Sequence, residues 1–174
     1  MDRAIQSISK LEHLKSIEFR FEAFKEKTVS RFKYEQYYIG NTQISVGSNK
    51  DKQISVKSIA DRPKLVLGLN QNMCRPCVEG VIANIKEFFP DFETNPNIIC
   101  IADIEQRFKD DYFGKKVVSF YQKEDFPLYE IELAPYFFIL DKDLCVKLLF
   151  ITDQTSPELT KEYLKIIKER YPEI

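Results

Sequence analysis

Tryptophan is absent from this 174-residue chain, histidine occurs once, at His13, and glycine only five times. Without tryptophan, the 44% hydrophobic content with 14 Phe points to a core of Phe, Ile and Leu. With 5 Gly and 8 Pro the chain is neither fibrous nor disordered in composition. An excess of basic charge is also missing. The 26 Lys and Arg nearly cancel 27 Asp and Glu, for a net charge of -1, so there is no electrostatic footprint for nucleic acid. No apolar run follows Met1-Asp2-Arg3. Read literally, the sequence offers no signal peptide or transmembrane helix and describes a cytoplasmic protein. Four cysteines in this length do not make a disulfide scaffold. Internal repeats and low-complexity segments are missing too.

What is present is strong patterning. From about residue 3 to 33, Ile8, Leu11, Leu14, Ile17, Phe21 and Phe24 recur every three or four positions between charged residues, which predicts a long helix. It reads either as a stalk or dimerisation helix or as a helix packed on its own domain. From Tyr34 the period shortens. Tyr34 to Ile39, Gln43 to Val46 and Gln53 to Val56 alternate as half-buried strands do, and residues 47–51 have turn chemistry. A helical turn is expected over Lys57 to Asp61.

Lys64 to Leu69 is a short apolar run between Pro63 and polar residues, and reads as a buried strand. Val78, Val81, Ile82, Ile85, Phe88 and Phe89 then mark one helical face, and Asn97 to Ala102 reads as a second buried strand. Strand, helix and strand form a right-handed crossover with parallel strands. A helix near Glu105 to Asp111, a strand near Lys116 to Tyr121 and a loop at Phe126-Pro127 follow. A strand opened by proline covers Ala134 to Leu140, and Leu144 to Ile151 pairs back on it. Ser156 as N-cap and Pro157 at the first position open a last helix that runs to about Arg170.

Cys74-Arg75-Pro76-Cys77 lies where the first buried strand becomes a helix. The thiolate is the form of cysteine that attacks a disulfide. At a helix N-terminus, unpaired N–H groups and the helix dipole stabilise it. Arg75 adds positive charge, and Pro76 suits a first helical turn and stiffens the loop. These features cast Cys74 as the attacking sulfur and Cys77 as the one that resolves the mixed disulfide. Two other readings stay open: two cysteines packed at a helix start, or half of a zinc site completed from Cys100, Cys145 and His13. Cys100 and Cys145 stand in apolar strand segments and are expected to be buried core residues. No metal or cofactor is expected.

The order of these elements resembles the thioredoxin fold, and Gln53 to Ile59 ahead of the Lys64 strand resembles the lead-in hairpin of TlpA/ResA-type oxidoreductases. The resemblance spans roughly residues 43 to 171. It implies an α/β thioredoxin-like sandwich, a central mixed sheet flanked by helices, with an N-terminal β-hairpin and a long N-terminal helix. Residues 1–40 form the helical segment and 41–174 the domain. It implies catalysis by Cys74 and Cys77, with Arg75, Pro76, Ala134 and Pro135 supporting or binding substrate. The expected partners are protein thiols or disulfides and a redox partner protein, in an extracytoplasmic, periplasmic setting with a membrane tether outside this sequence. Ala134-Pro135 matches the site of the family's cis-proline. In such a sheet its strand neighbours the Lys64 strand, so the resemblance implies a cis bond beside the dithiol and a short edge for an incoming chain. The chain departs from the family in having Asn72-Met73 before the first cysteine and no acidic residue in Lys64–Leu69, where thioredoxins keep a buried carboxylate as proton acceptor; Glu79, two residues after Cys77, reads either as a substitute for it or as a solvated helix residue. The rival readings are a protein-binding module with an idle dithiol and a cytosolic thioredoxin-like reductant.

Overall fold

The computed structural model describes residues 2–46, 49–70, 72–102, 111–120, 126–131 and 134–174, apart from the side chains of 2–9, 49–52, 111 and 112. The helix expected near Glu105 to Asp111 lies outside the described residues except for its last position. The chain falls into two compact units, Met1–Lys33 and Tyr34–Ile174.

The N-terminal unit is one helix, α1 (Asp2–Tyr34), whose final Tyr34 belongs to the second unit. No Gly or Pro interrupts it, and Arg31 and Lys33 in its last turn suit the negative end of the dipole. Leu11, Leu14, Phe21 and Phe24 are exposed along it. Among the described residues, no helix is long and apolar enough to cross a membrane.

The second unit is built on β1 (Gln43–Val46), β2 (Asn49–Ser55), β3 (Lys64–Leu69), β4 (Ile98–Ala102), β5 (Asp111–Tyr112), β6 (Lys115–Phe120), β7 (Tyr136–Leu140) and β8 (Val146–Ile151). Three helices join them: α2 (Val56–Ile59), α3 (Arg75–Phe88) and α4 (Pro157–Arg170). Seven strands lie in the order β2-β1-β6-β4-β3-β7-β8, and β5 pairs with β6 off this path. β3 runs parallel to β4, and β4 parallel to β6. β7 is antiparallel to both β3 and β8, and β1 is antiparallel to β2 and β6. The expected β3–α3–β4 crossover and the antiparallel pairing of the proline-led strand with the Lys64 strand are both present.

Every residue of β3 and β7 is buried because both faces of the sheet are covered. On one face Phe137 stacks on Tyr163 of α4 with ring centroids 5.6 Å apart, and α3 packs beside α4. α3 contributes Val81, Ile82 and Ile85 to the core, and α4 contributes Leu164 and Ile167. The alternate residues Tyr136 and Phe138 belong to an aromatic cluster in which Phe126 stacks on Phe120 at 4.3 Å. Phe126 and Tyr129 reach that cluster from a short 3-10 turn at Pro127–Glu130, where the sequence predicts only a loop.

Tyr34 to Ile39 is not a regular strand. Tyr34 still belongs to α1, and Gln36 turns the chain with φ 62. The segment crosses the start of β8 through Gln36 N to Val146 O (2.7 Å) and Ile39 N to Leu144 O (2.9 Å), leaving one bridge, Tyr38 to Cys145. The left-handed backbone at Gln36 and Leu144 breaks the ladder that the alternation predicts. Glu35 is fixed there too, accepting from Leu148 N at 2.9 Å and Leu149 N at 3.0 Å. Phe113-Gly114 closes the β5–β6 hairpin with φ 53 and 83, the positive pair that a tight two-residue hairpin turn requires.

Candidate functional site

β3 ends on a loop tied down by Asn70, which is itself buried. Its side-chain amide donates to Tyr129 O at 3.0 Å, its Oδ1 accepts from Asn72 N at 3.1 Å, and its carbonyl accepts from Met73 N at 3.1 Å. The loop delivers Cys74 in an extended conformation (φ -66, ψ 138) as the N-cap of α3. Cys77 N then donates to Cys74 Sγ at 3.2 Å and to Cys74 O at 3.0 Å. Pro76 sits in the first turn, where its missing N–H leaves no intrahelical bond unmade. Cys74 and Cys77 form a disulfide with their Cα atoms 5.2 Å apart. Cys74 is exposed, whereas Cys77 is 7% exposed.

Arg75 points its guanidinium at Glu79, with Nε 2.7 Å from Oε1. Glu79, read from the sequence as a solvated helix residue, is the partner of this ion pair one turn along α3. Both side chains are well exposed, so the pair adds little stability.

The site also has a side that the sequence did not reveal. Gly68 pairs with Tyr136, and Tyr136 pairs with Ile151. The end of β8 is therefore carried to the same sheet edge as the end of β3. Beyond it, Thr152 donates to Pro135 O from both N (2.9 Å) and Oγ1 (2.8 Å). Asp153 Oδ1 accepts from Thr155 N at 2.9 Å and Thr155 Oγ1 at 2.7 Å, which sets the turn into α4. Ser156 stands at the N-cap position of α4, yet its hydroxyl makes no capping bond. Between these fixed residues Gln154 directs its amide at the disulfide, with Nε2 3.1 Å from Cys74 Sγ and also in contact with Cys77 Sγ. A cavity of about 250 Å³ opens beside Cys77, with Pro76, Gly80, Asn84, Gln154 and Pro157 in its wall.

Three expectations are corrected. No peptide bond among the described residues is cis, so the Ala134–Pro135 bond is trans. Trans is the lower-energy isomer of an X-Pro bond by about 0.5–1 kcal/mol. Pro135 is buried, and its carbonyl is held inside by Thr152. The short docking edge inferred from a cis bond is therefore withdrawn. Cys145 is partly exposed, not a core residue. Leu144 and Val146 point inward on either side of it, which leaves Cys145 the outward position of the alternation. The third concerns Tyr34 to Ile39, described above. Cys100 behaves as expected: it is buried, and desolvation pushes its thiol pKa up to about 12 against a smaller opposing pull from Lys115. Among the described residues, no group of three or more His, Cys, Asp or Glu is placed to hold a metal ion.

No family model matches the chain, and no curated protein matches it. The chain is similar to several solved structures. A thioredoxin-like protein from Bacteroides caccae is 16% identical with a TM-score of 0.48, over 84% of this chain and 56% of that one. An uncharacterized thioredoxin-like protein from Porphyromonas gingivalis is 16% identical with a TM-score of 0.45, over 78% of this chain and 95% of that one. The exposed lipoprotein thioredoxin Etrx1 of Streptococcus pneumoniae is 11% identical with a TM-score of 0.44, over 71% and 98%. The strand order, the β3–α3–β4 crossover and the disulfide at the head of α3 give this chain a thioredoxin-like fold.

Proposed function

We propose that the chain is a thiol–disulfide oxidoreductase acting through Cys74 and Cys77. The observation that carries this is an exposed sulfur bonded to a buried one at the N-terminus of a helix that begins at the carboxyl edge of a sheet. In the reduced protein the Cys74 thiolate attacks one sulfur of a substrate disulfide. A mixed disulfide forms, and the other substrate sulfur leaves as a thiolate that takes up a proton. Cys77, as thiolate, then attacks Cys74 Sγ and expels the second substrate thiolate. The substrate gains two electrons and the chain keeps the Cys74–Cys77 disulfide. A dithiol partner protein resets it by the reverse exchange, and the whole sequence run backwards oxidises a substrate dithiol.

The substrates in this reading are protein thiols and disulfides, and no cofactor takes part. Arg75 and Pro76 shape the loop that presents Cys74. Pro135, with Ala134 before it, supports the site through Thr152. The lead-in hairpin resembles that of TlpA/ResA-type proteins, and with it goes an extracytoplasmic placement, where an oxidising compartment suits a disulfide.

The test is equilibration of the pair against glutathione, together with turnover of a protein disulfide supplied with a dithiol reductant. Saturable acceleration that Cys74→Ser abolishes, with mixed disulfides accumulating in Cys77→Ser, is the expected result. A chain that holds its disulfide and accelerates no exchange in either direction is a binding module instead.

A further inference from the structure

We propose that Gln154 is the side-chain hydrogen-bond donor of the dithiol and holds reduced Cys74 as a thiolate, an assignment that rests on the exchange reading above. Its Nε2 lies 3.1 Å from Cys74 Sγ and also touches Cys77 Sγ. A carboxamide N–H₂ carries two donor hydrogens, so one group can serve both sulfurs. The opposite orientation would turn the amide oxygen on a developing thiolate, where two electron-rich atoms repel.

Gln154 is launched from fixed ground. Thr152 on one side is buried and doubly bonded to Pro135 O, and Asp153 closes a turn through two bonds from Thr155. α4 begins three residues after Gln154. The backbone of Gln154 is therefore anchored on both sides, and its exposed side chain reaches the sulfurs from a fixed base.

The site needs such a donor. The guanidinium of Arg75 is paired with Glu79. The backbone gives Cys74 Sγ the N–H of Cys77 at 3.2 Å and the dipole of α3. Gln154 adds a donor from a different element. As Cys74 enters a mixed disulfide and Cys77 becomes the attacking thiolate, the second hydrogen of the same amide faces the sulfur that now carries charge.

The experiment is the pH profile of Cys74 alkylation in the reduced full-length chain, read by peptide mass spectrometry. A donor to a thiolate is worth about one pKa unit. In Gln154→Met the Cys74 profile is expected to move up by about one unit, with a roughly tenfold slower reaction below it. The glutathione equilibrium is expected to move roughly tenfold toward the disulfide, about 30 mV lower. Gln154→Glu, which sets a like charge on the sulfurs, is expected to move further in the same direction. A Gln154→Met profile within about a third of a unit of wild type, or displaced downward, overturns the assignment. A wild-type chain that accelerates no exchange defeats the functional reading alone, because the Cys74 profile still decides the role of Gln154.

Discussion

Gly68 of β3 and Tyr136 of β7 are register partners, and the tyrosine ring lies across the glycine where a side chain would otherwise stand. A Cβ built on Gly68 meets Tyr136 Cζ at 2.0 Å, and the ring is fully buried. Gly68→Ala is therefore expected to cost about 3 kcal/mol or more, at the upper end of overpacking penalties. Chemical denaturation of Gly68→Ala, Tyr136→Leu and the double variant checks it, since the pair should couple and Tyr136→Leu should recover part of the loss. Unaltered stability in Gly68→Ala would contradict the packing. The phenol of Tyr136 has no hydrogen-bond partner among the described residues. Tyr136→Phe is accordingly expected to be neutral, or stabilising by up to about 1 kcal/mol.

Exposure separates the two sulfurs of the motif. Cys74 is open to solvent and Cys77 is 7% exposed. In the reduced protein near neutral pH, alkylation of Cys74 is expected to outpace that of Cys77 by roughly tenfold or more, because reaction follows thiolate fraction and access together. Equal slow labelling of both residues in a mass-spectrometric time course would count against the assigned roles.

Cys100 gives alkaline pH a defined effect. Its folded pKa stands at about 12 against an ordinary 9.0, chiefly through desolvation. The folded state therefore retains a proton that the unfolded chain loses in that interval. The contribution is fully present below about pH 9 and declines as pH rises toward 12. One proton changes stability by about 1.4 kcal/mol per pH unit at most. Lys115, whose pKa burial lowers, works in the opposite direction. Urea midpoints across this range should fall less steeply in Cys100→Ala than in wild type. Parallel slopes would show that the thiol plays no part.

Glu35 ties the chain after α1 to β8 by accepting the N–H groups of Leu148 and Leu149, where Leu148 has φ 54. Two bonds to one carboxylate on an irregular strand make Glu35→Ala expensive, by about 2–3 kcal/mol. Glu35→Gln keeps one acceptor and should fall between. Hydrogen exchange at Leu148 and Leu149 is the direct readout, and protection unchanged in Glu35→Ala would refute the role.

The crossover and its cysteines were legible because each rests on local signals: Pro63 before an apolar run, a period of three to four after Cys77, and a second apolar run at Ile98. Legibility stopped where two distant segments decide the outcome. Gln154 stands in an ordinary polar turn, and its meaning appears only once β8 is in register with β7 and β7 with β3. That topology was already implied by the order of elements, so the turn before Ser156 could have been placed at the dithiol edge by the same reasoning that placed Pro135 there. The isomer at Pro135 was not legible, since cis and trans differ by little and tertiary contacts choose between them. Cys145 was misread because an apolar triplet conceals which residue faces outward. Tyr34 to Ile39 looked like a strand because alternation carries no sign of a left-handed residue such as Gln36.

Thr152 and Gln154 follow the closing strand of the sheet, and 80 residues separate Cys74 from Gln154. Synthesis on a ribosome delivers the cysteines first. On the proposed assignment, the nascent pair exists before its amide donor has been made, with the chemistry of an ordinary exposed dithiol. On that assignment its tuned reactivity follows the pairing of β8 with β7, which carries the turn across. If Gln154 is the donor proposed above, the tuned reactivity of the pair reports that the turn after β8 has been made and placed.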